Sequence, residues 1–292
     1  MENQPQLRQL SREIVGMATS DGAGVKLLRS LGSGPHARLD PFLMLDEFSS
    51  VNPGDYIAGF PAHPHRGFET VTYLLDGNMR HEDHMGNVGH IQSGGVQWMT
   101  AGRGVIHSEM PEQVAGRMRG FQLWINLPAS EKMKPALYRD IGPAQIPSVA
   151  LVSGGSVKVI AGELSIEGKP TRGPIYGLST EPLYVDIQLA PHSTLRLNVV
   201  QKHHAFVYVY EGRVQIGDRI VNNHSAGVLS DGDTIEFRSL ELETRFLLLA
   251  GKPIGEPVVQ YGPFVMNTRA EIEQAVTDYQ NGTLTGPPVP VA

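Results

Sequence analysis

The chain has 292 residues, of which 40% are apolar and 18% are charged, and its net charge is −6. This composition is typical of a soluble globular protein, and the slight acidity argues against non-specific binding of nucleic acid through a basic surface. The absence of cysteine excludes disulfides and thiolate metal sites. Because the polar N-terminus has no signal peptide and no segment approaches a membrane span, we expect a cytoplasmic protein that does not contact membranes.

Glycine and proline divide the chain into short segments. There are 33 glycines and 21 prolines, and between them lie short runs rich in β-branched and aromatic residues. Many short strands joined by tight turns predict an all-β protein built as a sandwich or a barrel.

The first informative segment is PAHPHRGFET, residues 61–70, in which His63 and His65 flank a proline. The residue before a proline is pushed toward extended geometry, and proline itself belongs at the start or edge of a strand. Both histidines therefore lie on one face of an extended segment and can share one metal ion. Alone, such a pair is more often an accident of surface or packing.

The next segment, FETVTYLLDGNMRHED at 68–83, predicts a β-hairpin that turns at Asp76-Gly77. Glu69 could be a further ligand, face outward, or pair with Arg66, and the sequence does not decide between these. We expect the histidines on and after the second arm, His81, His84 and His90, to be exposed.

The segment GRGVIHSEM, residues 102–110, holds a second pair at the same spacing, His107 and Glu109. On a strand these side chains share a face, so two such pairs on neighbouring strands bring three imidazoles and one carboxylate together. Three nitrogens and one oxygen suit Fe, Mn, Co, Ni, Cu or Zn. We predict one divalent transition metal on His63, His65, His107 and Glu109.

The second half of the chain repeats the pattern of the first. AFVYVYEGRVQIGD at 205–218 predicts another hairpin, which turns at Glu211-Gly212. When the equivalent glycines of the two halves are aligned, the ligand positions of the first half fall opposite residues that do not repeat the ligand set. These are Asn198, Val200, Phe237 and Ser239. We therefore expect no metal in this half.

One helix is predicted near the C-terminus. Thr268 and Glu271 form a capping box before RAEIEQAVTDYQ, and Gly282 ends the segment. We expect it to close one face of a sheet. The predicted domains are 1–140, which binds the metal, and 150–292, which includes the helix, with the boundary near Pro143 and Pro147.

The combination of these segments resembles the pirin family of the cupin superfamily. The similarity rests on PAHPHRGFETVTYLLDG and TAGRGVIHSE, and on the segments PFLMLDEF, GFQLWINLP and GPFVMNTRAEI. It implies two cupin-type, jelly-roll-like β-barrels in tandem, with a degenerate second barrel and iron, as Fe(II), in the first. By position the family's ligands fall on His63, His65, His107 and Glu109, and Glu69 is not one of them.

The resemblance implies two functions of different classes. One is a quercetin 2,3-dioxygenase, which opens a flavonol ring with O2 and would use Glu109 as the base that takes the 3-hydroxyl proton. The other is a regulatory protein that binds a transcription factor or an enzyme and uses the metal structurally or as a redox sensor. The enzyme requires an apolar, aromatic pocket, for which the candidates, each of which could equally belong to the barrel core, are Phe48, Phe60, Phe68, Trp98 and Trp124.

Overall fold

The computed structural model describes residues 5–34 and 37–286, which form two compact units. The first unit comprises residues 18–29, 42–143 and 254–286, and the second comprises residues 5–17, 30–34, 37–41 and 144–253. No helix in the described part of the chain is both long enough and apolar enough to cross a membrane.

The described residues are mostly strand, as the sequence predicted. In chain order the strands are β1 (Leu10–Val15), β2 (Met17–Asp21), β3 (Val25–Arg29), β4 (Phe42–Ser50), β5 (Phe60–His65), β6 (Phe68–Asp76), β7 (Asn78–Asp83), β8 (Val88–Gln92), β9 (Val96–Thr100), β10 (Val105–Pro111), β11 (Met118–Asn126), β12 (Leu137–Ile141), β13 (Ser148–Ala150), β14 (Gly155–Ala161), β15 (Glu163–Ile166), β16 (Lys169–Arg172), β17 (Leu183–Leu189), β18 (Thr194–Asn198), β19 (His204–Glu211), β20 (Val214–Ile216), β21 (Arg219–Val221), β22 (Ser225–Leu229), β23 (Thr234–Ser239), β24 (Thr244–Gly251), β25 (Val259–Tyr261) and β26 (Phe264–Met266). Short 3-10 turns cover Pro53–Asp55, Ala129–Glu131 and Pro143–Gln145, and the α-helix α1 covers Arg269–Gln280.

The first unit is built from a seven-stranded and a four-stranded antiparallel sheet. The larger sheet has the order β12-β9-β6-β11-β4-β3-β2 and the smaller one the order β5-β10-β7-β8. Strands such as β6, buried along Phe68–Leu74, have both faces covered, while β7 alternates between exposed and buried residues. The four-stranded sheet carries both predicted ligand pairs.

The second unit repeats this plan. A seven-stranded sheet with the order β1-β22-β19-β24-β17-β14-β13 accompanies a four-stranded sheet with the order β18-β23-β20-β21. One large apolar cluster forms its core and includes Val207, Phe246 and Phe237, the residue aligned with His107. The predicted internal duplication and the two cupin-type barrels are confirmed.

The two predicted hairpins differ from expectation in how their arms pair. β6 lies in the seven-stranded sheet and β7 in the four-stranded sheet, and β19 and β20 are separated in the same way. The Asp76-Gly77 turn therefore carries the chain from one sheet to the other. Gly77 has a φ of 108°, and a Cβ there would lie 2.7 Å from the Gln113 side chain, so only glycine fits this corner.

The N-terminal segment of the chain belongs to the second unit, and the C-terminal segment belongs to the first. The comparison of the two sequence halves did not predict this. The chain passes from the first unit to the second between residues 143 and 144, whereas β1 pairs with β22 of the second unit and α1 belongs to the first. The predicted capping box at Thr268 and Glu271 is present, and α1 packs through Ile272 and Ala275 on a cluster with Phe264.

Candidate metal centre

Strand β5 presents His63 and His65 from the edge of the four-stranded sheet. This placement explains the prolines of the segment, because an edge strand tolerates residues that lack an N–H donor. β10 pairs with β5 so that His107 lies opposite His63, and a register shift follows before Glu109. Such irregularities bend a strand and re-aim its side chains.

The three predicted histidine ligands converge. His63 Nε2 and His65 Nε2 are 3.0 Å apart, and the His63 and His107 ring centroids are 4.4 Å apart. Each of the three offers a nitrogen within 4.8 Å of the others. Two nitrogens that share one metal at about 2.0–2.1 Å lie about 3.0–3.4 Å apart, so the His63–His65 pair has the required spacing.

The hydrogen bonds of these rings fit a metal. His63 Nδ1 lies 2.8 Å from the Pro61 carbonyl, to which it donates, so its Nε2 carries a lone pair. His107 Nε2 is buried and has no hydrogen-bond partner among the described residues. It costs free energy to point a lone pair at another ring nitrogen, and it costs free energy to bury a nitrogen that has no hydrogen-bond partner. A bound cation would relieve both costs.

Electrostatics keep two of the rings neutral. Burial, followed by the neighbouring His63, holds the pKa of His65 well below its ordinary value. Burial also holds the pKa of His107 well below its ordinary value, with smaller contributions from His65, His63 and His81. A metal binds the neutral imidazole, so these rings need lose no proton before binding at neutral pH.

Glu109 is buried and accepts a hydrogen bond from Thr72. Thr72 Oγ1 lies 2.8 Å from Glu109 Oε1 and 2.7 Å from the side-chain amide of Gln122. The Gln122 atom at this distance is its side-chain oxygen, Oε1, so the single hydroxyl hydrogen of Thr72 is shared between this oxygen and Glu109 Oε1. The position of Oε1 is thereby fixed, and Oε2 is available to bind a metal or to take a proton.

His81 was predicted to be exposed, and this prediction was wrong. It is fully buried on β7, where it lies directly opposite Glu109 on β10, and it forms a second cluster with His107 and Glu109. The missed signal is the alternation of β7, which buries Met79 and His81 and exposes the residues between them. His84 and His90 are exposed, as expected.

Glu69 lies away from the histidine cluster. Its Oε1 accepts a hydrogen bond of 2.7 Å from Thr100, and burial raises the pKa of its carboxyl group. Three positions separate Glu69 from Thr72 along β6, so their side chains leave opposite faces of the strand. Thr72 is the one that reaches Glu109, which places Glu69 on the other face.

A cavity of about 650 Å³ opens onto the cluster. His63, His65 and Glu109 line one part of it, and a second part is polar because Arg29 forms a two-point pair with Asp46, at 2.8 Å and 2.7 Å. Its remaining lining residues are Asp21, Gly22, Ala23, Leu27, Met44, Phe60, Pro61, Gln122, Trp124, Gln260, Gly262 and Pro263.

Two of the five predicted pocket aromatics, Phe60 and Trp124, line this cavity. The other three lie elsewhere in the first unit. Phe68 is fully buried behind the site, with its ring centroid 4.3 Å from that of Trp124, and Phe48 belongs to an apolar core cluster. Trp98 is paired with Val71, so its side chain projects from the face of the sheet opposite to that of Thr72.

Comparisons with known proteins identify the family of the chain. The model of the pirin family matches residues 24–125, and that of the pirin C-terminal cupin domain matches residues 184–285. A Pseudomonas aeruginosa protein named "Putative quercetin 2,3-dioxygenase" is 53% identical over 92% of this chain and 95% of its own length. The chain belongs to the pirin family.

The chain is also similar to human pirin and to a solved quercetin 2,3-dioxygenase. Human pirin is 41% identical over 94% of this chain and 93% of its own length. The crystal structure of a quercetin 2,3-dioxygenase from Acinetobacter baumannii is 34% identical, covers 96% of this chain and 99% of its own, and superposes with a TM-score of 0.88. The second, apolar unit of this pirin-family protein corresponds to the pirin C-terminal cupin domain.

Proposed function

We propose that this protein is a metal-dependent flavonol 2,3-dioxygenase that opens the ring of a quercetin-like substrate with O2. The proposed ligands are His63, His65, His107 and Glu109, and the proposed metal is Fe(II), although the donor set is also compatible with Mn, Co, Ni, Cu and Zn. The metal would supply open coordination positions at which an electron-rich substrate and O2 can meet.

One observation carries the proposal: a single cavity contains His63, His65 and Glu109 together with apolar and polar surfaces suited to a flat polyphenol. Its volume, about 650 Å³, lies within the roughly 300–1,000 Å³ typical of small-molecule sites. Trp124 and Phe60 offer aromatic faces.

The residues of the chain have distinct tasks in this proposal. The Arg29–Asp46 pair orients ring hydroxyls by hydrogen bonds, and Trp124 excludes water from one side of the ring. Glu109 would release one oxygen from the metal and take the proton of the substrate 3-hydroxyl on it, while Thr72 holds the other oxygen, Oε1, at 2.8 Å. Relatives named for this activity, at 53% and 34% identity, support the assignment.

Glu109→Gln tests the base directly. The amide keeps an oxygen near the metal but cannot take a proton, so turnover of quercetin should fall about 10²–10⁴-fold while part of the metal remains bound. Oxygen uptake by iron-loaded protein is the measurement. Detection of the depside product and carbon monoxide distinguishes dioxygenation from autoxidation.

Glu112→Gln is the matched control, since Glu112 is exposed and pairs with His90 near the end of the same strand. It should turn over as the wild type does. Wild-type turnover in Glu109→Gln would remove Glu109 from the mechanism. No oxygen uptake with any flavonol by iron-loaded wild type would overturn the enzyme proposal and favour the regulatory function, in which the chain binds a protein partner.

A further inference from the structure

The structure places one more histidine beside the proposed ligands. His81 is fully buried on β7, and its Nδ1 lies 3.3 Å from Nδ1 of His107. Its other ring nitrogen, Nε2, lies 3.6 Å from Oδ2 of Asp83. Three side chains thus form a row that ends at the ligand His107.

The carboxylate at the far end of this row is held rigidly. Asp83 Oδ2 accepts a hydrogen bond of 2.7 Å from the Asn87 side chain. Asp83 Oδ1 accepts from the backbone N–H groups of Met85, at 2.9 Å, and Asn87, at 3.1 Å. The negative charge that faces His81 therefore has a fixed position.

This fixed charge selects one tautomer for each ring. Asp83 Oδ2 is too far from His81 Nε2, at 3.6 Å, for a hydrogen bond, but its negative charge favours a hydrogen on Nε2, so that His81 Nδ1 carries the lone pair. His81 Nδ1 then accepts the hydrogen bond from His107 Nδ1–H. His107 is left with a lone pair on Nε2, the buried nitrogen that lacks a hydrogen-bond partner in the described part of the chain. The opposite pair of tautomers, with the hydrogens on His81 Nδ1 and His107 Nε2, would block metal binding at His107 Nε2.

Packing fixes the plane of the His81 ring. Tyr138 stacks on it with the centroids 4.4 Å apart and an angle of 23° between the rings. Gly89 lies opposite His81 on β8, and a Cβ there would come within 1.5 Å of the Tyr138 hydroxyl. Tyr138 in turn donates a hydrogen bond of 2.5 Å to Asp140. The His81 ring is therefore held by Tyr138 of β12 and the adjacent strand β8, and it has little freedom to rotate.

We propose that His81, oriented by Asp83, is a positioning residue that presents Nε2 of His107 to the metal. The inference rests on the proposed metal site and not on dioxygenase activity. Partners that fix the tautomer of a ligand histidine typically change metal affinity by about 10–100-fold when they are lost.

The decisive measurement uses the wild-type chain and zinc, a diamagnetic probe. In the metal-free protein, ¹⁵N spectra of the imidazoles should show His107 protonated at Nδ1 and His81 protonated at Nε2. On zinc loading, the Nε2 resonance of His107 should shift, whereas Nδ1 of His81 should not show the shift of a ligand. A proton on Nε2 of metal-free His107, or direct zinc ligation by His81, would overturn the proposal.

Variants supply an independent readout in the zinc dissociation constant, measured by competition with a chelator. His81→Leu should bind zinc about 10–100-fold more weakly. In His81→Asn the side-chain oxygen can replace Nδ1 as the acceptor, so affinity should remain near that of the wild type. His90→Leu is the matched control, because His90 is an exposed histidine on the neighbouring strand that also faces a carboxylate, Glu112 at 2.9 Å.

The outcomes distinguish this proposal from the proposed function. Wild-type affinity in a folded His81→Leu protein would contradict the positioning role, and if that variant does not fold, the wild-type spectra still decide. Absence of flavonol turnover with normal zinc binding would defeat the enzyme and leave the role of His81 intact. Full zinc binding in His107→Ala would instead show that the ligand set is wrong.

Discussion

At the scale of single residues, the buried imidazoles link the metal centre to the stability of the fold. His65 and His107 are held neutral in the folded chain because burial lowers the pKa of each well below 6.5. In the unfolded chain both take up protons near the ordinary value of about 6.5. The protons that bind only to the unfolded chain determine how stability changes with pH.

Metal-free protein should therefore lose stability as the pH falls below about 6.5, by up to about 1.4 kcal/mol per pH unit for each histidine. The stability is present above the unfolded pKa and is lost on acidification, since only the unfolded chain gains protons. Urea unfolding at several pH values measures the slope. His65→Gln should flatten it and His90→Gln, at an exposed position, should not, whereas an equal slope in His65→Gln would contradict this account.

Metal content should separate the proposed ligands from Glu69. His63→Ala and His107→Ala should each lose most of the single metal ion per chain, because three convergent nitrogens become two. Glu69→Gln should keep full metal content, since this side chain bonds Thr100 on the opposite face of β6. Metal analysis after dialysis is the measurement. Full occupancy in both histidine variants, or its loss in Glu69→Gln, would show that the site has been assigned incorrectly.

At the scale of elements, sequence spacing predicted the ligand strands and missed the third strand of the site. The His-Pro-His segment and the His-x-Glu pair each lie on a strand, as their periodicity indicated, and these two strands are adjacent. β7 was predicted only as a hairpin arm, and its place beside β10 was missed because β10 lies more than twenty residues further along the chain and periodicity alone does not show which strands pair. The hairpin predictions failed for the same reason. The residues of a turn do not show that the two strands it joins lie in different sheets.

Helix α1 supports the end of β5 through the ion pair between the buried Arg66 and Asp278, which is partly exposed. Arg66, which follows His65, is 3% exposed and donates to Asp278 at 2.7 Å and to the Leu284 carbonyl at 3.2 Å. Asp278→Ala should destabilise the first unit by about 3 kcal/mol, because it leaves a buried charge without its partner. It should also weaken metal binding, since His65 adjoins Arg66.

The matched control for Asp278→Ala lies on the same helix. Glu273 forms an exposed i,i+4 pair with Arg269 at 3.0 Å. Glu273→Ala should cost only about 0.3–0.5 kcal/mol, the usual contribution of such a pair. Chemical denaturation compares the two variants, and equal losses would contradict the importance assigned to the Arg66–Asp278 pair.

At the scale of the whole molecule, each unit depends on a segment from the opposite end of the chain. Val265 packs with Phe68 and Leu43 in the first unit. In the second unit Arg8, 2% exposed, donates to the carbonyls of His203 and Val200, each at 2.9 Å. The sequence predicted two domains, but contacts between distant segments carry no local signal, so the exchange of ends was missed.

A chain that ends at Pro253 should therefore lose protection in the first unit. Hydrogen exchange should increase in β5 and β10, and metal binding should be lost, while β19 and β24 should exchange as in the full chain. Arg8→Met should give the reverse pattern, with faster exchange in β19 and β24. If both changes affected both units equally, the division into two compact units would not describe how the protein unfolds.

The prolines of β5 also protect the protein from unwanted association. An edge strand offers unpaired N–H and C=O groups, onto which a strand from another molecule can add. β5 is the edge of its sheet, and Pro61 and Pro64 deprive it of two N–H donors. A strand added from another molecule would therefore lack partners for some of its backbone hydrogen bonds. Replacing the prolines would risk intermolecular strand addition, and with it amyloid-like assembly, at the strand that carries His63 and His65.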